Sequence, residues 1–294
     1  MSVQDVASAA LRHGRAARAL VDEVEDAPPS ALILAGAAGP TSVLERELGE
    51  GASPGSLRRL AEGPFDGDDL AEGMVLVYSV IDEPTPDDVE RLRVADRARL
   101  PIVCLVVDPA AVDPPEPVPY VLARDVIRAH EPARLPLGSV ADRIAVRAGA
   151  DGFSLAVAIP RLRSAVSDAI VTHYARLNGA IGAASFARGA TLPILTVNQL
   201  RMVARLAAVH GVKVDAKRAG ELIAVVAAGL GFRSVARAAL GRNIPRWAIK
   251  GGFAYGGTYA IGETAIARFS NMKPAPRTDA GTSTAGALSS AGAD

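Results

Sequence analysis

The first half of the chain alternates short, almost continuous apolar runs with amphipathic segments. The runs lie at 31–35, 74–80 and 102–107, and their length and lack of alternation are typical of strands buried on both faces. A fourth strand is predicted at 120–122, followed by a short helix at 125–129. Strands that alternate with helices predict a small α/β domain built on a parallel sheet.

Two polar pairs mark helix starts between these strands. Ser42 is followed three residues later by Glu45, and Thr85 by Asp88. In each pair the first side chain can cap a helix while the acid reaches back to the capping residue. Helices are therefore predicted to begin at both pairs. The loop between them is predicted to contain a short helical piece at 57–60.

From residue 139 the pattern becomes helical. Predicted helices cover 140–150, 153–186, 196–210, 215–240 and 245–269. Ser139 and Thr196 are the expected N-caps of the first and third of these helices. Breaks are expected near Pro160 and Gly179. The pattern predicts an Ala/Gly-rich helical bundle over 138–273.

Both ends of the chain differ from this pattern. Residues 3–26 predict an amphipathic helix that leads into the α/β domain of residues 1–137. Residues 274–294 are small, polar and without periodicity, so they predict a disordered tail. The first 25 residues lack the apolar core of a secretory signal, so a cytoplasmic location is expected.

The formal net charge of zero conceals two halves of opposite sign. Residues 1–137 carry 24 Asp/Glu and 13 Lys/Arg, a net charge of −11, whereas residues 138–294 carry 8 and 19, a net of +11. The basic half could face an anionic membrane surface, a protein partner or the acidic half itself. Nucleic acid is not expected, because the arginines are spread singly through apolar helices without an aromatic stacking surface.

Cysteine and histidine offer little chemistry. The single cysteine, Cys104, excludes an internal disulfide and a multi-cysteine metal site. It lies in an apolar run, which is typical of a small core residue. The four histidines form no close pair along the chain, and no metal site is predicted.

The segment Gly36–Ser42 occupies the place of a phosphate-binding loop, after the first strand and before a helix. The full loop requires G-x-x-x-x-G-K-[ST], but no lysine occurs before Lys213. Hydrolysis is therefore not expected, and an ordinary strand–turn–helix corner is the alternative. The residues that could still contact a nucleotide and its Mg²⁺ are Gly36, Gly39, Thr41, Ser42 and Asp108.

The last predicted helix carries a Gly-x-x-x-Gly spacing, which lets helix backbones approach closely in a membrane or in an Ala-rich bundle. Its uncharged stretch 251–262 has 12 residues, short of the ~20 that a span requires. A packed core is therefore expected, with shallow membrane or partner attachment as the alternative. The residues predicted to make that contact are Arg246, Trp247, Lys250, Gly252, Tyr255, Gly256 and Tyr259.

Several polar side chains are predicted to be buried in the bundle, where they need hydrogen-bonding partners. They are Asn198, Gln199, Arg201 and Glu263. Arg201 and Arg205 are the expected partners.

Two stretches resemble known families. ALILAG, MVLVYSVIDEPTPDDVERLRVA and LPIVCLVVD, within 30–130, resemble an Era-type small GTPase domain whose motifs have degenerated. Of the guanine-reading N-K-x-D, Val106-Val107-Asp108 keeps only the acid. Residues 165–270, with Gln199-Leu200-Arg201-Met202 and Thr258…Gly262, resemble the YcjF-like helical domain. The resemblance implies a P-loop-like fold followed by a helical domain of unsettled function, often membrane-associated in bacteria.

These patterns together favour a non-catalytic scaffold or adaptor. Its helical part would attach to a partner protein or to the inner face of the membrane, and a homo-oligomer is one form of this. The first alternative is a GTPase or nucleotide-binding protein with an atypical phosphate loop, using GTP and Mg²⁺. The second is a small-molecule binding module, which would need a deep pocket near Tyr255 and Gln199.

Overall fold

A computed structural model describes residues 30–109, 117–184, 191–212 and 246–272. The predicted lead-in helix at 3–26, the helix at 215–240 and the tail at 274–294 lie outside the described residues.

Five parallel strands form one sheet in the described part of the chain. They are β1 (Ala31–Gly36), β2 (Leu57–Arg59), β3 (Gly73–Ile81), β4 (Ile102–Val107) and β5 (Val126–Ala129). Their order across the sheet is β2-β1-β3-β4-β5, and every pairing is parallel. The three strands predicted from apolar runs are confirmed at the centre of the sheet, because strands buried on both faces need apolar side chains throughout.

The two edge strands correct the sequence prediction. The helical piece predicted at 57–60 is β2, which extends the sheet by pairing with β1 from Leu32 to Leu34. The strand predicted at 120–122 and the helix at 125–129 are also wrong. A 3-10 turn precedes β5, whose β-branched Val126 and Ile127 pair with Cys104 and Leu105 of β4. Pairing with a neighbouring strand outweighs local propensity at both edges.

The described helices are α1 (Ala38–Gly49), α2 (Pro86–Arg97), α3 (Leu137–Ala148), α4 (Phe153–Ala158), α5 (Arg163–Ala184), α6 (Thr191–Val209) and α7 (Arg246–Ser270). The capping box at Thr85 is confirmed, with both of its hydrogen bonds present. The break at Pro160 is also confirmed as a 3-10 turn. The bounds of α7 agree with those predicted for the last helix.

Other helix ends differ from prediction. α1 begins at Ala38 rather than at Ser42, and α3 begins at Leu137 without a cap from Ser139. Thr196 lies inside α6, and α5 continues unbroken through Gly179. Each of these Ser/Thr residues carries the chemistry of a cap, but the helix has already started on its N-terminal side.

The two faces of the sheet belong to different cores. Val77, Leu105 and their neighbours on one face join α1, α3 and the helices that follow in one continuous apolar cluster. The opposite face, which includes Tyr78, packs on Leu92 and Ala95 of α2. The apolar core therefore crosses the predicted boundary at residue 137 without interruption.

Ion pairs also cross that boundary. The fully buried carboxylate of Asp125 lies 3.7 Å from Arg143 Nη1 and 3.6 Å from Arg147 Nη1, and Glu50 pairs with Arg161. Each pair joins an arginine of residues 138–294 to an acid of residues 1–137. Opposite charges thus meet where the halves meet, as the charge division predicts.

None of the helices in the described ranges has the length and apolar character needed to cross a bilayer.

Candidate functional site

The strand order places one predicted site at the carboxyl edge between β1 and β3. The chain leaves β1 toward β2 on one side and returns to β3 on the other, and ligands of open α/β sheets bind at such a switch point. Here Gly36 is paired with Ser79, and the Ala37 N–H donates to the Ser79 carbonyl oxygen at 2.8 Å.

Gly36 is used for close packing of the strands. Its φ is +99°, which favours glycine, and a Cβ at this position would overlap the Ser79 backbone. The backbones of β1 and β3 therefore fill the space at the switch point. Only Ala37 separates β1 from α1, whereas a phosphate-binding loop needs several residues with free N–H groups.

The first turn of α1 leaves few donors for an anion. Pro40 has no N–H, and the N–H of Thr41 donates to Ala37 at 3.2 Å. The buried Thr41 hydroxyl donates to the Ala35 carbonyl oxygen at 3.4 Å. Helix geometry therefore uses groups that a nucleotide would require.

The remaining predicted nucleotide contacts are dispersed. Ser42 accepts a hydrogen bond from Arg59 Nη1 at 2.8 Å, and the same nitrogen lies 3.2 Å from Glu45. The Ser42–Glu45 pair thus binds the edge strand β2 rather than capping a helix. Gly39 has open space around it, and Asp108 follows β4, where its N–H donates to Ala129. Nucleotide binding by these residues stays a prediction.

The second predicted site centres on α7, which packs closely on α5. A Cβ on Gly182 would lie 2.7 Å from Ala254 Cβ and 2.9 Å from the Lys250 carbonyl oxygen, and one on Gly262 would lie 2.5 Å from Val171. A Cβ on Gly251 would lie 3.0 Å from the Gly179 carbonyl oxygen. These glycines allow the two backbones to touch.

Gly252 and Gly256 lie on the other side of α7. Both are exposed, and a Cβ on either would meet no atom of the described residues within 4 Å. Tyr255 and Tyr259 lie beside them with their rings stacked at 6.1 Å, and each keeps about 40% of its surface exposed. We call these four residues the α7 outer face. The close approach expected at Gly252 and Gly256 is therefore made inside the described bundle by other glycines.

The three other residues predicted to make the membrane or partner contact are Lys250, Arg246 and Trp247. Lys250 is exposed in the first turns of α7. Arg246 and Trp247 belong to the same helix, but their side chains lie outside the described part.

A buried polar network joins α5, α6 and α7. Asn198 donates to Asn178 at 2.9 Å, while Asn178 and Gln199 donate to the Thr258 hydroxyl at 2.9 and 3.1 Å. The predicted burial of Asn198 and Gln199 is confirmed. These hydrogen bonds fix the relative positions of the helices, because a shifted arrangement would leave more buried polar atoms without partners. Within the described residues, Gln199 Oε1 already lacks a partner.

The prediction that Arg201 and Arg205 are the partners of this network is wrong. Arg201 and Glu263 are exposed, so neither belongs to the buried set. Arg205 instead donates to the Tyr174 hydroxyl at 2.9 Å and to Asp151 at 3.0 Å. Helical periodicity alone did not show which side of α6 and α7 turns inward.

A groove between α3 and α5 was not predicted. It encloses about 640 Å³ and has small residues at its base. Its lining is Asp142, Ala145, Val146, Gly149, Ala165, Asp168, Ala169, Thr172, His173, Arg176 and Leu177. Val146 and Leu177 keep 60% and 39% of their surface exposed. The sequence signal that could have indicated the groove is the pair of alanines at 165 and 169 beside Asp168, because small side chains leave space above the helix.

The carboxylates beside this groove are held in unfavourable surroundings. Partial burial raises the pKa of Asp168, and the neighbouring charges of Glu263 and Asp142 raise it further. Glu263 also raises the pKa of Tyr259 on the α7 outer face. Asp168 thus lies between an acid of α3 and an acid of α7.

Other polar clusters have structural roles. Tyr78 donates to Asp88 at 2.6 Å, and the backbone and hydroxyl of Thr85 donate to the same carboxylate. Burial alone would raise the pKa of Asp88, but hydrogen bonds from Tyr78 and Thr85 outweigh it and lower the pKa. This network fixes the start of α2 to β3.

Catalytic chemistry finds little support in the described ranges. Ser167 Oγ lies 3.4 Å from His210 Nε2, but Ser167 is fully buried within α5. Burial, together with the charge of Arg163, lowers the pKa of His210. Within those ranges, His, Cys, Asp and Glu side chains form no group able to hold a metal ion. The small-molecule alternative needs a deep pocket near Tyr255 and Gln199. The described groove lies elsewhere, between α3 and α5.

Comparison with known proteins gives no further constraint. No protein-family model, curated protein or solved structure matches the chain.

Proposed function

We propose that this protein is a non-catalytic scaffold that assembles through the α7 outer face, with a second copy of the chain as the docked partner. The observation that carries the proposal is the open space at Gly252 and Gly256. A glycine inside an exposed helix costs about 1 kcal/mol relative to alanine. Gly182 and Gly262 offset that cost by close packing within the chain, and a helix from another molecule would offset it at Gly252 and Gly256.

The shape of this face favours a second copy. A two-fold symmetric contact needs one patch to supply both the projecting groups and the spaces that receive them. Tyr255 and Tyr259 project beside the two glycines on the same face. The four residues of the α7 outer face are uncharged, so a two-fold contact through them places no like charges directly opposite each other.

The nucleotide alternative has weaker support. Backbone packing at Gly36 and the missing N–H of Pro40 leave little of a phosphate cradle. The degenerate GTPase resemblance therefore fits a domain that supports assembly rather than hydrolysis. Saturable binding of Mg²⁺-GTP in a calorimetric titration would contradict this part of the proposal.

Sedimentation equilibrium of the full chain tests the proposed assembly. The variant Gly252→Ala/Gly256→Ala is expected to dissociate at least tenfold more readily than the wild type, because the added methyl groups occupy the contact. Its monomer is expected to be more stable, because alanine favours the helix. Gly39→Ala, an exposed glycine of α1, is the matched control and should leave association unchanged.

Two results would overturn the proposal. One is a wild-type chain that stays monomeric at a concentration on the order of 100 μM, which would mean a dimer dissociation constant weaker than that value. The other is flotation with anionic vesicles that persists in the double glycine variant, which would favour membrane attachment through other residues.

A further inference from the structure

The groove between α3 and α5 has the form of a helix-binding site. Ala145, Gly149, Ala165 and Ala169 make its base small, and Val146 and Leu177 form exposed apolar edges. From Ala165 to Leu177 the groove follows α5 for about 18 Å at 1.5 Å per residue. That length matches about three turns of a docked helix, whose apolar side chains would fill the space above the alanines.

The charges of the groove select the partner. Within the described part of the chain, Asp142 and Asp168 have no ion pair within 4.0 Å, and Glu263 adds a third negative charge near Asp168. By contrast, Asp125 and Asp151 each lie within 4.0 Å of an arginine. The opposing groups are His173 and Arg176, which line the same groove on α5. The balance is negative, so cations on a ligand would gain more than anions.

We propose that this groove binds a basic amphipathic helix of a partner protein. One face of that helix carries small and branched apolar side chains toward Ala145 and Ala169. Lysines or arginines one turn apart on its flank pair with Asp142 and Asp168. None of the four residues of the α7 outer face lines the groove, although Glu263 lies close to both Asp168 and Tyr259. A scaffold assembled through α7 would therefore carry one such groove on each copy, next to its α7 contact.

A fluorescent reporter placed at the rim tests this proposal in the full chain. Cys104 is fully buried, and burial raises its pKa to about 12. A dye attached to Val146→Cys is therefore the only label. The probe is a synthetic 14-residue helix of leucine, alanine and lysine, and a peptide with glutamate in place of lysine is its control. Leu177→Cys offers a second label position on the opposite edge.

We expect saturable fluorescence changes with the lysine peptide and none with the glutamate peptide. Asp142→Asn/Asp168→Asn should weaken binding at least tenfold, whereas Asp87→Asn/Asp96→Asn, which removes two exposed acids of α2, should not. Equal binding by both double variants, or no response at either label, would overturn the proposal. Repeating the titration in Gly252→Ala/Gly256→Ala separates this result from self-association, because peptide binding should persist there.

Discussion

The carboxyl edge of the sheet and the α7 outer face both carry glycines that the sequence marks as candidate sites, but the structure uses them in opposite ways. Gly36 is closed against the Ser79 backbone, so its missing side chain serves packing inside the chain. A Cβ on Gly252 or Gly256 would meet no atom of the described residues within 4 Å. The difference teaches that a glycine motif shows where a backbone needs space, while only the packing shows whether that space is already filled.

The largest expected change in stability comes from adding a side chain at Gly36, at the carboxyl edge of the sheet. Gly36→Ala places a methyl group on the Ser79 carbonyl and forces a non-glycine residue to φ +99°. We expect a loss of about 3–5 kcal/mol in the free energy of unfolding, measured by urea denaturation. Gly39→Ala should be neutral or stabilising by up to about 1 kcal/mol. Similar stabilities for the two variants would contradict the close packing of Gly36 against the Ser79 backbone.

The ion pairs between residues 1–137 and 138–294 should respond unequally to loss of the acid and loss of the arginines, with a difference in stability nearly as large. Asp125 is fully buried, whereas Arg143 and Arg147 keep about a third of their side chains exposed. Arg143→Gln/Arg147→Gln leaves a buried carboxylate with little compensation and should cost about 3 kcal/mol. Asp125→Asn should cost about 1 kcal/mol, because both arginines can turn toward water. Thermal melts of both variants check this order, and its reversal would be inconsistent with a buried acid held by arginines.

The two sets of glycines on α7 should respond with opposite signs. Gly182→Ala brings a methyl group to 2.7 Å from Ala254 and should cost about 1–3 kcal/mol by separating α5 from α7. Gly256→Ala should instead stabilise the monomer by up to about 1 kcal/mol. Chemical denaturation at a concentration that keeps both proteins monomeric makes the comparison. Destabilisation by Gly256→Ala would show that its face is already covered.

The smallest effects concern two carboxylates and their pH dependence. The pKa of Asp88 is lowered in the folded protein, so its contribution is present above the ordinary aspartate range and is lost as pH falls through the lowered value. The pKa of Asp168 is raised, so its ionised form opposes folding at neutral pH and that cost disappears as the pH falls.

Substitution should reveal these opposite signs. At pH 7, Asp88→Asn should cost about 1–2 kcal/mol through loss of the cap, and Asp168→Asn should stabilise by ~0.3 kcal/mol because the site is well solvated. Both differences should shrink when denaturation is repeated near pH 3. A destabilising Asp168→Asn at pH 7 would mean that the groove carboxylate already has a partner.

The central sheet was predictable because its strands are long apolar runs, but its edges were not. Leu57-Arg58-Arg59 is too polar and short to signal a strand, and only pairing with β1 makes it one. The same Ser/Thr–acid signature caps α2 at Thr85 but binds Arg59 at Ser42. That choice depends on a side chain 17 residues away, which local patterns do not include.

The sites show the same limit. Burial of Asn198 and Gln199 was predictable from their place among apolar residues, but their partners Asn178 and Thr258 come from distant helices. Of the adjacent glycines at 251 and 252, the first is buried and the second is exposed, and the Gly-x-x-x-Gly spacing selected the exposed one. The groove depends on how α3 lies against α5, a relation that neither helix encodes by itself.

Disulfide cross-linking through the α7 outer face tests the central claim most directly. Ala260 is exposed on the same face as Gly256, and buried Cys104 leaves Ala260→Cys as the reactive thiol. On mild oxidation at micromolar concentration, we expect Ala260→Cys to form a covalent dimer at least tenfold faster than Arg97→Cys on α2. Adding Gly252→Ala/Gly256→Ala should remove that advantage. Equal, slow cross-linking at both positions would contradict a docking role for this face.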